Sequence, residues 1–250
     1  MTNDILRTPT RHFTLCLVSS LFLAACGGEL PFQGLTTEEI YALGLQAAQQ
    51  EEWEEAAESF EYVLFSPGFN RTIEARFRLA EAQYAMERYI ESRSEFLRVI
   101  DRAPADTLAV LAALGVCRSL ASLSPITQRD QSFTRQARLS CRQVAADYAG
   151  TVIGLEASRL SEAMTIKLAE QDYDTGLHYL KRGLFDSALL YFEDVATEFS
   201  ETEWAPWALF QMVEAFGKIG YQRDVETTRE LLLEAYPESE PARLLADGAP

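Results

Sequence analysis

Residues 44–60 read GLQAAQQEEWEEAAESF, and four positions in this stretch decide the fold because they return. Gly44, Trp53, Ala56 and Phe60 reappear thirty-six residues later as Ala80, Tyr89, Ser92 and Phe96. They reappear again as Gly176, Phe185, Ala188 and Phe192, with intervals of nine, three and four kept each time. A generic helical bundle gives apolar residues three and four apart but holds no register over such distances. Each copy therefore predicts two antiparallel helices. A small residue lets them approach closely, an aromatic plugs the turn between them, and a second aromatic fills the space toward the next copy. Pro67 and Pro104 close the first two copies and Pro237 closes the last unit of the chain, since proline cannot continue a helix.

This spacing resembles the tetratricopeptide repeat. The expectation is an all-α tetratricopeptide-repeat superhelix, an α-solenoid of about five helix pairs over residues 37–237. The units fall at about 37–67, 73–104, 106–149, 153–200 and 203–237. Two of them are degraded. In the third, the helix near 106–122 and the helix near 132–147 are separated by extra residues around Ser122 to Ser132, so this pair is extended by an insertion. A long helix near 153–180 follows. Residues 238–250 read as a flexible acidic tail.

The N-terminus sets the compartment. Arg7, Arg11 and His12 precede the apolar run Phe13 to Leu23, which is shorter than the ~20 residues needed to span a bilayer. Leu23-Ala24-Ala25-Cys26-Gly27-Gly28 resembles a bacterial lipobox. Residues 1–25 are then a signal peptide, Cys26 carries diacylglycerol and an N-acyl chain, and 26–36 form a tether. Several acyl chains hold a protein stably where one does not. Gly27 after the Cys, rather than Asp, implies the outer membrane, facing the periplasm.

With 22 Lys+Arg against 38 Asp+Glu the formal charge is −16, and no basic patch offers a nucleic-acid surface. Two His leave little for imidazole or zinc chemistry. No nucleophile-and-base pattern is present, so the expectation is no catalytic residue, no metal and no cofactor beyond the lipid. Cys117 and Cys141 remain once Cys16 is cleaved off and Cys26 is lipidated. An oxidising periplasm would allow them to pair, but two separate buried thiols are the preferred reading.

The order of lipobox, five repeats, stretched third repeat and overall length resembles the BamD-type lipoproteins of the outer-membrane β-barrel assembly machine. The sharpest local matches are Arg129-Asp130-Gln131 with Thr134 and Ala137, then Arg159 to Ala169, then Leu180-Lys181-Arg182-Gly183 before Phe185. The family's Tyr-Pro and His-Pro turns are replaced by Phe65-Ser66-Pro67 and Arg102-Ala103-Pro104. The resemblance implies a non-catalytic subunit that docks on the periplasmic domains of a barrel-inserting, BamA-like protein. Other assembly lipoproteins are possible partners. It also implies contact with unfolded outer-membrane proteins through an aromatic-ended C-terminal segment. The rival reading is another repeat lipoprotein, such as a secretin pilotin or a coordinator of envelope synthesis and division.

Helical spacing nominates Tyr41, Leu45, Phe77, Glu81, Tyr84, Val116 and Leu120 as a peptide groove on the inner wall, with packing inside the repeats as the alternative. Arg129 and Asp130 in the insertion, and Trp204 and Trp207 at the start of unit five, are a candidate docking surface. For these four the alternatives are helix capping and core packing.

Overall fold

The computed structural model describes residues 32–248. The chain divides into residues 1–34 and residues 35–250, and the second unit carries the repeats. The lipobox and Cys26 lie outside the described residues.

Eleven helices follow one another among the described residues, with no strand. Five pairs account for ten of them: α1 (Thr37–Gln49) with α2 (Trp53–Phe65), α3 (Thr72–Ala85) with α4 (Tyr89–Arg102), α5 (Thr107–Ser122) with α6 (Ser132–Asp147), α7 (Val152–Lys181) with α8 (Phe185–Glu198), and α9 (Trp204–Ile219) with α10 (Gln222–Ala235). Each helix packs on the next, and α3, α5, α7 and α9 also touch in sequence, so first helices stack into one wall. This is the α-solenoid expected from the repeat.

Helix starts follow local chemistry. Thr36 and Glu39 form a capping box on α1, and Asp106, Thr151 and Ser239 accept from first-turn amides of α5, α7 and α11. The turns inside pairs share another device. Glu52 N–H donates to Ala47 O, Arg88 N–H to Gln83 O, Leu184 N–H to Tyr179 O and Tyr221 N–H to Phe216 O, all at 2.9–3.0 Å. In each turn the preceding residue is left-handed: Glu51, Glu87, Gly183 and Gly220. Glycine avoids the steric cost of that conformation, which explains Gly183 and Gly220.

The repeat's small and aromatic positions meet as their spacing requires. A Cβ on Gly44 would stand 2.8 Å from the Phe60 ring, and one on Gly176 would stand 2.5 Å from Phe192. Phe96 clusters with Ala80 of its own pair, and a Cβ on Gly115 of the following unit would stand 2.5 Å from its ring, so it also joins the second pair to the third.

The third unit departs twice. Residues 123–131 form a loop held by side chains: Lys167 Nζ donates to Ser124 Oγ (2.9 Å), Ser124 and Thr134 share a hydrogen bond (2.7 Å), and Thr134 donates to Gln131. Buried Gln131 donates in turn to the carbonyls of Ile126 (2.8 Å) and Arg129 (3.0 Å). Second, Cys117 and Cys141 are bonded, with Cα atoms 4.9 Å apart, correcting the preference for separate thiols. Two small residues on the facing sides of α5 and α6 bring the backbones close enough for the bond. That proximity depends on helix rotation, which spacing alone leaves open. The bond closes a loop of sequence separation 24. Cys141→Ala, or reduction, is therefore expected to lower the unfolding free energy by about 3 kcal/mol, read as a shifted urea midpoint.

The C-terminus is also corrected. Instead of a flexible tail, Glu240–Ala246 forms α11, capped by Ser239, with Ala242 and Leu245 buried against α9 and α10. The last repeat of a solenoid has no successor to cover its apolar side, and this short helix covers it. Seven residues are too few for a periodicity signal.

Candidate functional site

The wall of first helices carries a cavity of about 400 Å³ between α3, α5 and α7. Its apolar part is built by Phe77, Leu111, Leu114, Val152 and Ile153, and its polar part by Glu81, Tyr84, Arg118 and Glu156. A second cavity of about 330 Å³ between α1 and α3 is lined by Leu45, Trp53, Arg78 and Glu81, so Glu81 borders both.

Arg118 organises the polar end. It reaches from α5 to α7, where its Nε and Nη2 donate to the two carboxylate oxygens of Glu156 at 2.6 and 2.7 Å. The pair is partly exposed, so it contributes little to stability. The bond from Arg118 holds the Glu156 carboxyl below its usual range, and Glu156 raises the guanidinium. Tyr84 shares a hydrogen bond with Ser122 (3.0 Å) and packs edge-on to Tyr89 (5.2 Å). Glu81 accepts from Arg78 (2.8 Å). At the rim, Val152 stands 82% exposed beside the less exposed Leu111. The arrangement offers apolar depth, a bidentate cation on one wall and no base paired with a nucleophile.

The structure brings together part of the groove read from the sequence. Phe77, Glu81 and Tyr84 line the larger cavity, and Leu45 and Glu81 the smaller. Tyr41, Val116 and Leu120 do not reach the wall. Tyr41 is 1% exposed, between Phe60 (5.6 Å) and Phe69 (5.5 Å), with the Arg71 guanidinium over its ring at 4.3 Å. Burial, aided by the nearby Glu74 carboxylate, pushes its hydroxyl up to about 12. Val116 and Leu120 are buried with Phe77, Phe96 and Met164. The cause is that α5 packs on α3, α4, α6 and α7, so apolar residues surround most of its circumference and its open face has no apolar signature. Arg118 is the only charged residue in that helix and was the available marker.

Of the other candidates, Arg129 and Asp130 are exposed on the 123–131 loop. Asp130 accepts from the Ser132 N–H (3.0 Å), and hydrogen bonding from the Ser132 side chain and then from its backbone lowers the carboxyl from the usual range, while Gln131 occupies the N-cap position. Trp204 and Trp207 are partly buried against the α7–α9 core, Trp204 with its ring 5.0 Å from Tyr173 and Trp207 with its ring 6.0 Å from Phe210. His178 lies within 3.3 Å of Arg182. No helix of the described residues is long and apolar enough to cross a membrane.

The model of one protein family, YfiO outer membrane lipoprotein, matches residues 34–240, which takes in every helix pair and the start of α11. The chain belongs to the YfiO family. Among relatives, it is 26% identical to the outer membrane protein assembly factor BamD of Caulobacter vibrioides, over 86% of this chain and 72% of that one. It is 23% identical to the protein of the same name from Rickettsia prowazekii, over 92% of this chain and 93% of that one. A thermophilic tetratricopeptide-repeat protein of Thermus thermophilus overlays 86% of this chain and 98% of its own, at 16% identity and a TM-score of 0.35.

Proposed function

We propose that this YfiO-family chain is a non-catalytic, lipid-anchored subunit in the assembly of outer-membrane proteins. It faces the periplasm, docks on the periplasmic domains of a barrel-inserting protein, and holds extended segments of unfolded substrates on its first-helix wall. The lipobox, the Cys117–Cys141 bond of an oxidising compartment and the names of the two BamD relatives support this reading.

The observation that carries the substrate part is the cavity between α3, α5 and α7, where an apolar floor meets a bidentate arginine. A peptide ending in an aromatic residue has complementary parts. Its ring fits against Phe77, Leu111 and Leu114, and its terminal carboxylate competes with Glu156 for the planar fork of Arg118. Measured by fluorescence anisotropy, a labelled peptide ending in Phe binds the protein more tightly with a free C-terminus than with an amidated one. Arg118→Gln removes that preference at a cost of about 1.5–3 kcal/mol, roughly tenfold to a hundredfold in Kd. Equal affinity of both peptides for the unsubstituted protein contradicts the assignment.

A further inference from the structure

From Tyr62 to Asn70 the chain carries no charge, although Glu54, Glu55, Glu58 and Glu61 precede this run. The run spans the end of α2 and the turn into α3, and the structure sorts its aromatics into opposite directions. Phe69 points inward and packs at a tilt against Tyr41. Phe65 points outward and, at 89%, is the most exposed large apolar side chain among the described residues, with Pro67 exposed beside it. The turn is rigidly mounted. Below it, Arg71 lies over the Tyr41 ring, bonds Glu74 (2.8 Å) and reaches Glu38 in the first turn of α1 (3.9 Å). Phe65 therefore projects from the same edge of the repeat at which α1 begins.

That edge is where the tether arrives. Ten Cα-to-Cα steps lead from Cys26 to Thr36, the cap of α1, a span of at most about 35 Å. A lipid on Cys26 consequently holds the start of α1, and the turn packed beside it through Phe69 and Arg71, within reach of the bilayer surface. We propose that the α2–α3 turn rests on that bilayer, with the Phe65 ring in the headgroup region as a second, non-covalent anchor. A protein partner is the weaker fit, because a specific interface needs hundreds of square ångströms of matched surface and this tip offers a ring, a proline and a glycine. An aromatic at the end of a charge-free tip suits the membrane–water boundary. The carboxylates farther back on α2 keep the body of the repeat off an anionic surface, so contact is confined to the turn. The inference rests on lipidation of Cys26.

The test uses the mature lipidated protein. With Cys26 acylated and Cys117 bonded to Cys141, Phe65→Cys supplies the sole free thiol, which is labelled with an environment-sensitive fluorophore. The protein is reconstituted in phosphatidylethanolamine/phosphatidylglycerol vesicles with brominated acyl chains. Leu190→Cys on the exposed face of α8 is the control. The expected result is a blue-shifted emission and a loss of fluorescence at position 65, with neither at position 190. Vesicles that carry the protein but leave the label at 65 as it is in buffer overturn the contact and spare the anchor. Protein that fails to float with the vesicles overturns both.

Discussion

Glu95→Ala is expected to destabilise the protein by about 3–5 kcal/mol, because it leaves a buried guanidinium without its counter-charge. Glu95 lies in α4 at 8% exposure and receives Arg76 of α3 on one carboxylate oxygen and Arg98 of its own helix on the other. The Arg76 side chain is only 11% exposed, its bond to Glu95 runs from Nη1, and its buried Nε has no hydrogen-bond partner. The two arginines are not equivalent. Arg98 is half exposed, so Arg98→Ala costs about 0–1 kcal/mol, as at other surface pairs. Arg76→Ala together with Glu95→Ala costs less than Glu95→Ala alone, since it removes the uncompensated charge along with its partner. Urea midpoints at constant slope check the series. A Glu95→Ala midpoint matching that of Arg98→Ala would show that water reaches Arg76 and that the pair is not buried in solution.

The second large effect lies in the fourth unit. Phe192→Ala is expected to cost about 3–5 kcal/mol, since its fully buried ring fills the space between α7, α8 and α9. The ring sits over Gly176, so the reverse change probes the same contact: Gly176→Val overpacks it and costs about 1–3 kcal/mol. Repeats touch only their neighbours, which makes the damage regional. Amide exchange should accelerate in α8 and the C-terminal half of α7 and change least in α1 and α2. Uniform acceleration across all five pairs would show that the solenoid unfolds as a single unit.

The sequence and the structure agree where the signal is long-range. The register from Gly44 to Phe60, repeated at Ala80 and Gly176, specifies helix pairs, because a small residue must face an aromatic at that offset. The insertion after Ser122 and the long α7 are equally legible, since they are matters of chain length. Features that depend on helix rotation are not. Successive residues of α5 point about 100° apart, and that phase decides whether Val116 or Arg118, two positions on, reaches the wall and whether Cys117 meets Cys141. Tyr41 misled for a related reason. An aromatic among carboxylates and apolar residues looks exposed until Phe69 and Arg71, from the following turn, are placed over it. The short α11 is invisible because its three buried residues, Pro241, Ala242 and Leu245, are too few to form a repeat.

The proposed role is tested most directly by purifying the mature lipidated protein from detergent-solubilised envelopes and identifying its companions by mass spectrometry. The expected result is a large barrel protein with periplasmic repeat domains, recovered at near-equal abundance. Recovery of a secretin or of division enzymes in its place would leave the solenoid and the anchor standing and contradict the assembly function.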